Sequence, residues 1–261
     1  MAILFDLDGV FYQGDKPIDG AAEVVNWVRD NEIPYLFITN TSSRPRSALV
    51  DKLAQFGIFT DEPHILTPPV ATVHWLKQQQ STHSLALFIP QPTHSEFSDF
   101  KLWHGDDDGV TAVIVGDLGE DWTFQILNRA FRLLMRDPQP HLIALGMTRY
   151  WQNNDGLYLD VAPFIVALEH ASNTKAVVMG KPANTFYQTA INILGTPPGK
   201  IIMVGDDIRS DVQGAQLAGM RGILVKTGKF RSADLQQNIQ PDAILDSVKN
   251  LPDWWLQHHP E

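Results

Sequence analysis

The sequence predicts an α/β protein with a parallel sheet flanked by helices and a second, smaller α/β module inserted into it. Short, continuous, β-branched apolar runs alternate with amphipathic helical stretches at both ends of the chain, as buried parallel strands and their crossover helices require. A further group of strand and helix signals lies between those two blocks. The 261 residues, 44% of them hydrophobic, suffice for one sizeable core carrying an inserted module.

In chain order, "AILFDLD" reads as a strand, "GAAEVVNWVRDNE" as an amphipathic helix, "PYLFITN" as a second strand, and "RSALVDKLAQFG" as a second helix closed by Gly57. The rhythm returns late in the chain. There "KAVVMG", "KIIMVGD" and "RGILVK" read as strands, with "TFYQTAINILG" and "SDVQGAQLAGM" as the helices between them. The middle holds the strand candidates "LALFI", "TAVIVGD" and "HLIALG" and the helical "FQILNRAFRLLMR". Polar, loop-like "QQQSTHS" and "HASNTK" bound that middle part. The expected division is therefore a core of residues 1–81 and 175–261, interrupted by a module of residues 82–174.

Composition excludes several roles. The formal net charge is −10 and no run of Lys or Arg stands out, so nucleic acid is not an expected partner. No apolar stretch reaches membrane-spanning length, and no membrane partner is expected. The chain has no cysteine, which removes disulfide and thiol chemistry. "MAILFD" shows no basic segment followed by an apolar one, so a cytoplasmic location is the expectation. The nine histidines show no metal-ligand spacing.

Chemistry-bearing residues gather where the strands end. Asp6 and Asp8 close the first strand, two positions apart, and strand alternation would turn both carboxylates to one face, where they repel unless a cation holds them. The second strand runs into Thr39 and Asn40, the next into Gly180 and Lys181, and the following one into Gly205, Asp206 and Asp207. Parallel sheets bind ligands at these carboxyl ends. Singly, each residue has an ordinary structural use: an aspartate caps a helix, Thr39 and Asn40 serve a turn, and Lys181 is solvated. Their joint occurrence in this order is far more specific. A phosphate-binding P-loop is excluded, since neither "GKP" nor "GKF" has the hydroxyl residue after Gly-Lys or a glycine at the required distance before it.

Asp-Leu-Asp-Gly-Val at 6 to 10, the apolar run ending in Thr39, Lys181 in "GKP", and "GDDIRSD" at 205 to 211 resemble the four signature motifs of the haloacid dehalogenase superfamily of phosphohydrolases. The insertion between the second and third motifs is similar to the cap of the NagD-like, type IIA subfamily, and "TRYW", "DGLYLDVAPFIVALEHA", "VVMGKP" and "VKTGKFR" extend the likeness. The resemblance implies a Rossmann-like core with an inserted α/β cap. It also implies a Mg²⁺-dependent phosphatase acting on a small-molecule phosphate ester. Asp6 would be the nucleophile and form an aspartyl-phosphate, and Asp8 would be the acid and base. Thr39, Asn40 and Lys181 would bind the phosphoryl group. Mg²⁺ would be held by Asp6, Asp206 and the main-chain carbonyl of Asp8, with Asp211 orienting water beside the metal. Asp207 has two readings, support of the metal site or a helix cap.

Alternatives of other classes are a phosphoacceptor signalling module and a catalytically silent phosphate-binding protein. A receiver-type module is shorter and carries no large insertion after its second strand, and every motif carboxylate of a catalyst is present here. A phosphomutase would share the chemistry. Substrate choice would fall to the cap. There Arg149 in "GMTRYW" could grip a carboxylate or second phosphate, or else pair with Asp155 across the turn "NNDG". "HGDDDG" at 104 to 109 reads as a turn with a solvated acidic face. Trp254 and Trp255 would cover an apolar patch or form a contact in a homo-oligomer.

Overall fold

The computed structural model describes residues 1–79, 84–105, 109–153 and 155–258. The chain begins with β1 (Ala2–Asp6), a short hairpin of β2 (Tyr12–Gln13) and β3 (Lys16–Pro17), α1 (Ala21–Asp30), β4 (Tyr35–Ile38) and α2 (Arg46–Gln55). Then come β5 (Ile65–Leu66), α3 (Pro68–Gln78), β6 (Ser84–Phe88), β7 (Lys101–Leu102), β8 (Ala112–Val115), α4 (Phe124–Leu134) and β9 (His141–Ala144). A second hairpin, β10 (Tyr150–Asn153) and β11 (Gly156–Leu159), leads to α5 (Val161–Ser172) and β12 (Val177–Val178). The remainder is α6 (Asn184–Leu194), β13 (Ile201–Gly205), α7 (Gly214–Leu217), β14 (Arg221–Val225), β15 (Ala243–Leu245) and α8 (Leu251–His258).

Two compact units result. One comprises Met1–Thr39, Ser47–Leu66 and Lys181–Glu261, the other Asn40–Arg46 and Thr67–Gly180. These limits lie outside the expected 82 and 174 on both sides. The first unit holds a six-stranded parallel sheet in the order β15-β14-β13-β1-β4-β5. The second holds a five-stranded parallel sheet in the order β12-β9-β8-β6-β7. The α/β class with an inserted α/β module thus holds, with one correction. "KAVVMG" was expected in the core sheet, but its strand β12 pairs with β9 at the edge of the inserted sheet, Val177 opposite Ile143 and Val178 opposite Ala144.

Helix α3 gave no sequence signal because it opens on two prolines. Both sit in its first turn, where a missing N–H costs nothing, and Thr67 caps the end by accepting from Val70 N at 3.4 Å. The Thr72 hydroxyl donates to the Pro68 carbonyl at 2.8 Å. Trp254 and Trp255 of α8 pack against the core of the first unit, with the Trp255 ring 5.9 Å from that of Trp27 on α1. Of the two uses read for them, the structure has the covered apolar patch. The aspartates Asp106 to Asp108 of "HGDDDG" lie outside the described residues. Among the described residues no helix is long and apolar enough to cross a membrane.

Strand β1 is buried at every position and central in its sheet, because β-branched and aromatic residues suit a strand covered on both faces. On one face Phe11 stands edge-on to both Phe5, at 5.3 Å, and Phe37, at 5.1 Å. All three rings are fully buried. Phe11→Ala is expected to lower the unfolding free energy by about 3–5 kcal/mol in urea denaturation. A loss below about 1 kcal/mol would show that the ring does not hold this face together.

Candidate active site

Strand β1 ends at Asp6, between β4 and β13, so the residues following those two strands flank it. Asp6 lies opposite Ile38, which places Thr39 one step beyond the end of β4, and Phe5 lies opposite Val204, two residues before Asp206. Thr39 is buried and its backbone N–H donates to the Leu66 carbonyl at 3.1 Å. The carboxyl ends of three adjacent parallel strands thus bring Asp6, Thr39 and Asp206 to one edge.

The centre of the site is an ion-pair network. Lys181 was expected at a strand end on the rim of a pocket. Instead it precedes α6 and is buried, its Nζ donating to Asp6 Oδ1 at 2.6 Å and to Asp211 Oδ1 at 2.7 Å. Burial opposes its charge, but Asp211 and Asp6 outweigh that and hold its pKa above the ordinary lysine value. Asp211 is fully buried, and its second oxygen accepts from Asp207 N at 3.0 Å. Burial raises its carboxyl to about 6 against the pull of Lys181. Asp206 is raised to about 7 by burial and then by the charges of Asp6 and Asp211.

Oxygens of Asp6, Asp206 and Asp211 lie within 4.8 Å of one another. The carboxylates of Asp6, Asp206 and Asp211 outnumber the ammoniums of Lys181 and Lys229 that face them, an excess that suits a divalent cation. The donor set consists of hard oxygens, as Mg²⁺ prefers. Among the described residues Asp206 Oδ1 is buried with no hydrogen-bond partner, while Asp206 Oδ2 accepts from Lys229 N at 2.6 Å. Each Asp211 oxygen already accepts a hydrogen bond, from Lys181 Nζ and from Asp207 N.

Two glycines make room for that carboxylate. A Cβ on Gly9 or on Gly228 would stand 2.0 Å from Asp206 Oδ2, and both have positive φ, +88° and +61°. The Thr227 hydroxyl donates to the Gly9 carbonyl and ties the two turns together. Lys229 adds a positive charge whose pKa is raised, against desolvation, by Asp6, Asp206 and Asp207. The sequence reading missed Thr227, Gly228 and Lys229. Their signal was "TGK" directly after a strand in the same sheet, weighed only as a failed P-loop.

Asp8 departs from the reading that put it on a strand face with Asp6. After Asp6 the chain turns, with Val10 N and Phe11 N both donating to the Leu7 carbonyl, and Asp8 forms only an isolated bridge to Tyr12. The residue is exposed, and partial desolvation followed by the Asp6 charge raises its pKa. Asp207 proves to be a cap: its Oδ1 accepts from Arg209 N at 2.9 Å and Ser210 N at 3.0 Å, and those bonds hold its pKa down against burial. It opens a π-helical stretch, Ile208–Gln213, that carries Asp211.

Asn40 and Arg149 belong to the second unit. Arg149 is exposed, with its guanidinium 5.8 Å from the Tyr150 ring centroid. Within "GMTRYW", residues 150 and 151 are the start of β10, and the backbone N–H of Asp160 donates to the Arg149 carbonyl at 3.1 Å.

A model described as haloacid dehalogenase-like hydrolase matches residues 3–102, and one described as HAD-hydrolase-like matches residues 178–251. The chain belongs to the haloacid dehalogenase-like hydrolase family. It is 39% identical over 258 residues to the bovine haloacid dehalogenase-like hydrolase domain-containing protein 2, covering 98% of this chain and 96% of the relative. It is 36% identical over 261 residues to the human phospholysine phosphohistidine inorganic pyrophosphate phosphatase, covering 98% and 94%. Its fold is similar to that of NagD from E. coli K-12, with a TM-score of 0.83 at 22% identity over 95% of this chain and 96% of the other.

Gly228→Ala would push a methyl group into the Asp206 carboxylate. The protein is expected to fold while binding of a divalent cation, measured by titration calorimetry with added Mg²⁺, weakens about 10-fold to 100-fold. Unchanged affinity would remove the glycine pair from the site.

Proposed function

We propose that this chain is a Mg²⁺-dependent phosphatase that hydrolyses a small phosphorylated metabolite through an aspartyl-phosphate on Asp6. The observation that carries this reading is the buried Lys181 ammonium joining Asp6 to Asp211 beside an unpartnered oxygen of Asp206. A phosphate ester is anionic, so a carboxylate can attack it only where fixed positive charge offsets the repulsion. The phosphatase named among the relatives supports the class, and a match over 98% of the chain does not favour a phosphoacceptor module or a silent binding protein.

An Asp6 oxygen attacks phosphorus as the bond to the leaving oxygen breaks, and Asp8 gives that oxygen its proton. Asp8 then takes a proton from water, which attacks the aspartyl-phosphate, releasing phosphate and the free Asp6 carboxylate. The Thr39 hydroxyl and Asn40 amide donate to phosphoryl oxygens, and Lys181 neutralises the charge they share with Asp6. Asp6, Asp206 and the main-chain carbonyl of Asp8 would hold Mg²⁺, which would supply further positive charge for the phosphoryl group. Asp211 keeps Lys181 in place and would orient water beside the metal.

The deciding experiment is a turnover screen of the purified protein against phosphorylated metabolites with Mg²⁺, repeated in excess chelator. Undiminished turnover in chelator would sink the metal-dependent mechanism. In the same screen Asp6→Asn should abolish turnover while circular dichroism stays unchanged, because the amide keeps the shape and loses the nucleophile. Asp8→Asn should cut turnover of unactivated esters by about 100-fold or more yet spare much of the activity on p-nitrophenyl phosphate, whose leaving group needs little protonation. Equal loss on both would remove Asp8 as the acid.

The inserted unit would select the leaving group, with Arg149 as the gripping residue. Arg149→Ala should lower kcat/KM for the best metabolite in the screen about 10-fold and leave p-nitrophenyl phosphate unaffected. Equal effects on both esters would place selection elsewhere.

A further inference from the structure

The inserted sheet has a topological switch point of its own. From β6 the chain passes through the turn Gln91–Phe97 to β7 on one side, whereas β8, on the other side of β6, passes through α4 to β9 further out. The two connections cover opposite faces. Leu76 and Phe97 pack on one face of the sheet, and Ala130, Leu133 and Ile165 on the other. Where connections diverge in this way a crevice opens beyond the carboxyl ends of the two central strands, and open parallel sheets bind ligands there.

The structure has a cavity of about 460 Å³ at this point, a volume within the ordinary range of small-molecule sites. Phe88 and Ile89 from the end of β6, with Leu118 and Ile126, give it apolar walls. Arg129, His94, Gln91 and Asp121 supply the polar groups around them. The Arg129 guanidinium is positioned by packing over the Trp103 ring, 4.4 Å from its centroid, and among the described residues no carboxylate pairs with it. His94 Nε2 lies 3.3 Å from the Ile89 carbonyl, so it carries the proton and leaves Nδ1 as an acceptor in the neutral ring. A Cβ on Gly116, just past β8, would lie 3.1 Å from Ile89 Cγ2 and 3.2 Å from Leu145 Cδ1, so a side chain at 116 would crowd the strand ends beneath the cavity.

The geometry points to a binding site for a small amphipathic anion in this crevice: an apolar or planar body between Phe88, Leu118 and Ile126, and a carboxylate, sulfonate or phosphate on Arg129. A planar guanidinium suits such a group because it can give two parallel hydrogen bonds. None of these residues is among those assigned to the phosphoryl chemistry, and all belong to the inserted unit.

The test uses the whole protein and the fluorescent probe 8-anilinonaphthalene-1-sulfonate, which has a planar apolar body and one anionic group. Saturable binding of one probe per chain is expected. Arg129→Met should weaken it about 10-fold, and Leu118→Trp, which fills the cavity, should abolish it, each with unchanged thermal unfolding. Asp6→Asn should bind the probe as the unaltered protein does, and orthovanadate should not displace it. Should Leu118→Trp unfold, Ile126→Phe replaces it as the filling variant. Probe binding insensitive to both Arg129→Met and the filling variant, or lost on Asp6→Asn or with orthovanadate, would overturn the assignment.

Discussion

A single ammonium surrounded by carboxylates is the constraint around which the first unit is organised. A buried charge is tolerable only when paired and hydrogen-bonded, and Lys181 meets both conditions through Asp6 and Asp211. The pairing spans 175 residues of chain, from the first strand to the segment that follows the inserted unit. Only a sheet with β1 at its centre, Thr39 on one side and Asp206 on the other, lets that segment return to the same edge. The excess of carboxylate that remains makes the site incomplete as a purely protein structure: Asp206 Oδ1 has no hydrogen-bond partner among the described residues, while the two glycines leave room for Oδ2.

How much of this was legible depended on whether a residue's role is local. Asp6, Thr39 and Asp206 announce themselves because each directly follows an apolar run, and the run fixes where the strand ends. Lys181 was legible as a motif residue but not as a buried one, since neither carboxylate that neutralises it is near it in sequence. Asp207 gave two readings because a cap and a metal ligand use the same carboxylate, and only its bonds to Arg209 N and Ser210 N separate them. Thr227, Gly228 and Lys229 stayed hidden for a related reason. Gly228 matters through its approach to Gly9, a contact between two turns at distant places in the sequence.

The fold shows the same division between local and distant information. Runs with clear periodicity became the expected strands and helices. Val177–Val178 is apolar and β-branched, so its state was readable, yet which sheet it joins depends on pairing with Ile143 and Ala144 rather than on its own composition. Helix α3 failed in the opposite sense, because two prolines read as a break when considered alone and become a helix start once Thr67 caps them. The strands of the hairpin β10–β11 went unread although "NNDG" reads as a turn, since two four-residue strands carry little periodic signal.

The π-helical stretch after Asp207 carries a consequence for how this part of the chain can vary in length. Its wider winding shows in the Asp207 carbonyl, which accepts from both Asp211 N at 3.0 Å and Val212 N at 3.3 Å, while the Tyr187 hydroxyl donates to the Ser210 carbonyl at 2.6 Å. Such a widened turn behaves as one residue added to an α-helix. Losing one residue between 207 and 213 would restore ordinary winding and keep the apolar face of α7 seated, yet residues on the near side would rotate by about 100° about the axis. Asp211 would then turn away from Lys181. Chain length in this turn is therefore fixed by the angular position of one carboxylate, and a shortened turn would be a stable helix attached to an inactive centre.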